Sequence, residues 1–357
     1  KAGLLPEGSK IEPWDWAYYA EKVRKAKYAL DEEQTKPYFK MENVRAGVFN
    51  TAHKLFGLNF EQLDSIPVYH PDVEGFKVTD ADGSLIGVLL TDYFPRSTKR
   101  GGAWMNNFVN QEIVKGEDIR PVIVNVGNFS KPVDGKPGLL TLDEVETMFH
   151  EFGHALHGLL SQCTYKSVAG TSVARDFVEL PSQIMENWAF QDEVLAEYAR
   201  HYETGEVIPA ELVAKINAAG TFNQGFMTTE LAAASILDLK WHMLESLEGV
   251  DPMEFEAAAC KEMGLIDEII PRYRSTYFAH IFSGGYSAGY YSYLWAEVLD
   301  KDAFELFMQK GIFDSETAMS FRRNVLEKGG SDEPMDLYRR FRGADPDPAA
   351  LTRARGL

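Results

Sequence analysis

The chain has 357 residues, enough for a sizeable buried core in one large domain or two ordinary ones. Hydrophobic residues make up 45% and charged residues 25%, and the net charge is −18. Such an acidic chain repels phosphate backbones, so nucleic acid is excluded as a natural partner, whereas a cationic peptide would be attracted. The charge also serves solubility alone. Two cysteines, Cys163 and Cys260, fit no metal spacing and no disulfide framework, so a reducing compartment is expected. No apolar run reaches the length of a membrane span. The chain starts at Lys1 without a signal-peptide pattern. The expected location is therefore cytoplasmic, with a bacterial envelope kept open because the true N-terminus is not visible.

In chain order, residues 13–30 and 41–56 carry apolar residues at helical spacing, with Pro13 suited to a first helical position. Residues 75–95 alternate and are rich in β-branched and aromatic residues, and Asp82-Gly83 between two such runs predicts a hairpin. Residues 121–129 read as a further strand, whose edge could pair with an extended peptide. Helices are then predicted at 141–162, 209–219 (starting at Pro209), 228–248, 252–263, 286–310, 315–328 and 334–342. The expected fold is mostly α, with a small sheet at about 75–129 edging a cleft. No repeat, low-complexity segment or interdomain linker is visible.

The segment 141–162 carries the chemistry. Thr141 and Glu144 form a capping box at its start, and Val145, Met148, Phe149, Phe152, Leu156, Leu159 and Leu160 supply an apolar face. On it lies His150-Glu151-Phe152-Gly153-His154. Histidines at i and i+4 project from one side of a helix, so both imidazoles can reach one Zn²⁺ at about 2.0–2.1 Å. Glu151 beside them is placed to take a proton from water activated by the metal. The competing reading is a pair of core histidines bonded to backbone, but buried polar groups on an apolar helix need partners, which favours a metal. His157 on the same face reads as a packing or supporting residue. The metzincin pattern is excluded, because the positions three and six residues after His154 are His157 and Leu160. A downstream carboxylate must then complete the site. In 174–190, Asp176, Glu179, Gln183 and Glu186 recur at helical spacing among apolar residues; Pro181 must sit in a first turn or kink that helix.

HEFGH followed by DFVELPSQIMENW, together with RYRSTYFAHIFSGGYSAGYYSYLWAEVLD at 272–300, resembles the thimet-oligopeptidase and peptidyl-dipeptidase family of gluzincin metallopeptidases. The likeness extends over essentially the whole chain, and 169–183 is most similar to bacterial peptidyl-dipeptidases. The resemblance implies a zincin-like catalytic domain over 1–357, with metal-binding helices at about 141–205 and a tyrosine-rich catalytic segment at about 280–293. It implies one Zn²⁺ held by His150, His154 and Glu179, with Asp176 orienting a ligand imidazole; from the residues alone, Glu186, seven positions on, is the alternative third ligand and is otherwise expected, like Asp176, to support the ligands from behind. It implies Glu151 as general base and His280, Tyr286 and Tyr293 as stabilisers of the oxyanion. From residue spacing alone, Tyr286, Tyr290 and Tyr293 share one helical face, and an aromatic core stripe is the plainer reading of them. Tyr290 is a candidate substrate contact.

The implied activity is release of C-terminal dipeptides from short peptides. An endo-acting oligopeptidase is the alternative, and a zinc-containing peptide-binding module a more distant one. Sensing a free carboxylate calls for a cation, and Arg175, Arg272 and Arg274 are the candidates. Family members are usually nearly twice this long, with an N-terminal lobe walling a deep channel. A further expectation is that such a lobe, or another copy of the chain, completes the channel here.

Overall fold

The computed structural model describes residues 8–133 and 135–357. A 3₁₀ turn at Pro13–Asp15 leads into α1 (Trp16–Tyr28), which ends at left-handed Ala29. α2 (Glu32–Thr35) and a second 3₁₀ turn follow, then α3 (Met41–Phe56). Val44, Val48, Ala52 and Leu55 of α3 recur at helical spacing and are buried in the main core.

Seven strands come next: β1 (Asn59–Gln62), β2 (Glu74–Thr79), β3 (Leu85–Asp92), β4 (Trp104–Val109), β5 (Glu112–Val114), β6 (Glu117–Ile119) and β7 (Val122–Val126). β5 and β6 form a separate hairpin. The main sheet has the order β1-β2-β3-β7-β4. Only the β3–β7 pair is parallel. The predicted hairpin at Asp82-Gly83 is present: Gly83 takes φ +85°, and Asp80 N–H donates to Ser84 O at 2.9 Å.

The expectation that a peptide pairs along 121–129 needs correction. β7 lies between β3 and β4, so both its edges are already bonded; the edge strands are β1 and β4, and it is β4 that borders the cleft. β4 gave no sequence signal because Asn106 and Asn107 interrupt its alternation.

α4 (Leu142–Leu159) crosses the sheet, its capping box closed by Glu144 N–H to Thr141 Oγ1 at 3.1 Å and Thr141 N–H to Glu144 Oε2 at 2.9 Å. α5 (Leu180–Ala189) packs directly on it. A Cβ at Gly153 would lie 2.1 Å from Pro181 O, so glycine is what lets the two helices approach. Pro181 sits in the first turn of α5, and no kink is needed.

α6 (Asp192–Tyr198), α7 (Ala210–Ala219), α8 (Gln224–His242), α9 (Pro252–Glu262), α10 (Ala279–Phe282), α11 (Ser292–Lys310), α12 (Ser315–Phe321), α13 (Pro334–Arg342) and α14 (Ala349–Arg355) complete the mostly α fold. α12 runs into a π turn at Arg322–Leu326 rather than continuing as one helix to 328. α11 starts at Ser292, six residues later than expected, because 283–291 is occupied by turns. A second, smaller core gathers Ala234, Leu237, Trp241, Ala259, Phe278, Ile281 and Tyr290. Among the described residues no helix is long and apolar enough to cross a membrane, and both cysteines are free.

Candidate active site

α4 presents His150, Glu151 and His154 toward the N-terminal end of α5, where Glu179 is the residue preceding the first turn. His150 Nε2 lies 3.3 Å and His154 Nε2 3.1 Å from Glu179 Oε2. One donor atom from each of the three residues falls within 4.8 Å of the others. Glu179 is 1% exposed. Burial alone would push its carboxyl up, but the two imidazoles outweigh that and hold it well below the usual carboxylate range. Ser182 Oγ donates to Glu179 Oε2 at 2.9 Å, and the Tyr286 hydroxyl donates to Oε1.

The far side of the His150 ring is fixed as well. Its Nδ1 meets Glu186 Oε1 at 2.6 Å, which turns Nε2 toward Glu179. Glu151 Oε2 is buried without a hydrogen-bond partner among the described residues. Burial is the main cause that raises its carboxyl pKa, opposed by the neighbouring imidazoles. Its backbone carbonyl accepts from Asn125 Nδ2 at 2.7 Å, tying α4 to β7. Two imidazole nitrogens and one carboxylate oxygen converging at the edge of a cleft are a donor set that suits Zn²⁺.

The pocket is a cleft of about 360 Å³. Trp104 and Met105 of β4 form one wall, and His280, Tyr286 and Tyr293 another. The rings of Tyr286 and Tyr293 stack at 5.1 Å. Burial, followed by Glu179, pushes both phenols upward, so they remain protonated donors at neutral pH. Burial lowers the His280 pKa, with the Arg272 charge adding to it.

Residues 2–357 match peptidase family M3. The chain belongs to that family. It is 47% identical over 354 residues to a dipeptidyl carboxypeptidase of Escherichia coli (strain K12), covering 98% of this chain and 52% of that protein. It is 41% identical over 351 residues to oligopeptidase A of the same organism, again covering 98% of this chain and 52% of the relative. The chain therefore spans about half the length of these curated relatives. Its fold is similar to that of the M32 carboxypeptidase from Deinococcus radiodurans R1, with a TM-score of 0.54 at 15% identity over 98% of this chain and 67% of that one.

Within this M3 domain the remaining candidates separate. Asp176 does not touch a ligand imidazole: it lies in a 3₁₀ turn at Arg175–Phe177, outside α5, and accepts from Tyr291 OH at 2.8 Å. The expected same-face stripe from Asp176 to Glu186 is broken there: Glu179 and Glu186 contact the two nitrogens of His150, and Asp176 bonds neither. Tyr290 is 1% exposed, edge-on to Phe278 at 4.8 Å, and is a core residue rather than a substrate contact. The tyrosines do not share a helical face, since Tyr286 and Tyr290 precede α11. Arg274 is committed to buried Glu256. Arg175 lines the cleft with its guanidinium 4.7 Å from the centre of the Tyr286 ring. Arg272 lines an adjoining cavity.

Sequence reasoning missed Asp238. This fully buried carboxylate on α8 accepts the backbone N–H of Ala288 at 2.9 Å and of Tyr290 at 2.8 Å. It thereby anchors the turns that carry Tyr286, where Ala288 takes a left-handed φ of +51°. The available signal was an aspartate inside the apolar run LAAASILDLKW.

Proposed function

We propose that this chain is the catalytic part of a zinc peptidase that releases dipeptides from the free C-termini of short peptides. The observation that carries this reading is the convergence of His150, His154 and Glu179 next to Glu151, within a cleft that an extended peptide can enter. The 47% identity to a dipeptidyl carboxypeptidase supports the dipeptide unit.

Held by His150, His154 and Glu179, zinc would supply a Lewis acid for the scissile carbonyl and bring the pKa of water to about 7. Glu151 takes the proton from the attacking water and passes it to the leaving amine. Its buried, unpartnered oxygen is available for that transfer. His280, Tyr286 and Tyr293 face the same cleft and donate to the oxyanion as it develops. The free edge of β4 pairs with the substrate backbone, which puts the scissile bond across the cleft beside Trp104 and Met105. A companion lobe walls the other side of the channel, consistent with the length of the relatives.

An endo-acting oligopeptidase is the second reading, favoured by the 41% identity to oligopeptidase A. Digestion of one peptide as free acid and as amide, with mass readout and with or without a chelator, tests both. Chelator-sensitive, stepwise loss of dipeptides from the free acid alone is expected. Equal internal cleavage of both forms would favour the oligopeptidase, and cleavage indifferent to chelator would remove zinc from the account.

A further inference from the structure

Behind Tyr293 the cleft adjoins a second cavity of about 510 Å³, and Tyr293 lines both. Glu186, whose carboxylate positions His150, also faces this cavity, so it lies immediately beside the metal ligands. Its charged groups divide into committed and uncommitted ones. Arg355 is held by Glu297. Lys301 is held by Asp300 at 2.9 Å and by Asn187 Oδ1 at 2.9 Å. Arg272 alone among the lining cations makes no hydrogen bond or ion pair within the described residues, although its ring neighbour Tyr273 lies 5.8 Å away.

A second polar group in the same cavity lacks a partner. Gln183 is 9% exposed, and its amide nitrogen donates to Tyr293 O at 3.1 Å. Its amide oxygen is buried with no donor to accept from among the described residues. An unpaired guanidinium and an unpaired amide oxygen on residues lining one cavity, which Tyr293 also lines, match the two ends of a terminal residue: its carboxylate and its backbone N–H.

The geometry points to Arg272 as the group that binds the substrate's C-terminal carboxylate, with Gln183 Oε1 accepting the N–H of the last residue. This rests on the dipeptide-releasing reading above and names the site that measures out the two residues. A fully extended dipeptide reaches only about 7 Å past the scissile bond, so its carboxylate must settle in a cavity bordering the metal pocket. The Arg272 charge is felt at His280, Tyr290 and Tyr293, consistent with that reach. Arg175 is the weaker candidate, because it lies inside the metal cleft itself with its planar face occupied by Tyr286. A Cβ at Gly285 would sit 2.7 Å from Arg175 Nη2, which fits a role in bracing that loop. Glu146 and Glu230 also border the Arg272 cavity and make no ion pair within the described residues. They disfavour a second, side-chain carboxylate on the terminal residue.

The test compares wild type, Arg272→Ala and Arg175→Ala in the zinc-loaded, full-length enzyme on one peptide as free acid and as amide. Arg272→Ala is expected to lower kcat/KM on the free acid by about 10- to 100-fold. The ratio of free-acid to amide rates should collapse with it. Arg175→Ala is expected to slow both peptides and to keep that ratio. Competition by the dipeptide Ala-Phe, as free acid against its amide, reads the same contact without turnover, and the free-acid advantage should vanish in Arg272→Ala. An unchanged ratio and an unchanged free-acid advantage in Arg272→Ala would overturn the assignment while leaving the peptidase reading intact. No cleavage of either peptide by wild type would instead overturn the peptidase reading itself.

Discussion

The two walls of the cleft are built differently. His150 and His154 lie on α4 and Glu179 immediately precedes α5, two helices buried in the main core whose approach is set by Gly153 against Pro181. Opposite, Tyr286 rides on the turns between α10 and α11, which Asp238 ties to α8, and Tyr293 sits in the first turn of α11; both pack on the smaller core. A metal site needs its donors fixed before the ion arrives, and a helix provides that. A wall that closes on a developing oxyanion tolerates, and benefits from, a segment held by a few removable contacts.

If this division is right, substitutions on the two walls fail in different ways. Glu151→Gln is expected to keep zinc and lose about 10²- to 10⁴-fold in kcat; near wild-type turnover in the purified variant would break the assignment of the base. Tyr293→Phe and His280→Ala should lower kcat by about 10²- to 10³-fold with zinc content unchanged. A change confined to KM would move those residues from transition-state to ground-state binding. On the rigid wall, Glu186→Ala is expected to weaken zinc affinity by about 10- to 100-fold through the His150 ring, and Glu179→Ala by more. Elemental analysis across a chelator series orders the two, and equal zinc retention in the Glu179 variant would contradict the ligand set. Asp238→Asn, which keeps the shape but weakens the anchor, should lower kcat about tenfold without loss of zinc. Loss of zinc in that variant would mean that the two walls are not independent.

The smallest expected effect is on stability. His157, on the last turn of α4, is fully buried, and burial brings its pKa down to about 3. Unfolded, it would titrate near 6.5, so between those values the unfolded chain binds the extra proton and stability falls as the pH is lowered. From pH 7 to pH 5.5 this one group should cost about 1 kcal/mol. Thermal melts of wild type and His157→Met at both pH values isolate it, and an identical pH dependence in the two would show that His157 is not buried and neutral.

The same contrast explains what could be read from the sequence. The i, i+4 histidines, the capping box at Thr141 and the apolar face of α4 are local patterns with one geometric meaning, and they fixed the rigid wall. The hairpin at Asp82-Gly83 was legible for the same reason. The other wall depends on contacts far apart in the chain. Nothing near Tyr290 announces that its N–H is held by Asp238, 52 residues away, or that turns replace the start of α11. Asp176 was misplaced because helical spacing was extended through residues that form a 3₁₀ turn before Pro181. β4 was invisible because its pair of asparagines breaks the alternation, yet it supplies the free edge beside the cleft.

The most direct test is to locate the metal. Crystals of the protein loaded with zinc, measured on both sides of the zinc absorption edge, should give one anomalous peak between His150 Nε2, His154 Nε2 and the Glu179 carboxylate, with Glu186 bonded to His150 and not to the ion. A peak with Glu186 or Asp176 in the coordination shell, or none at this site at full zinc occupancy elsewhere, would contradict the account.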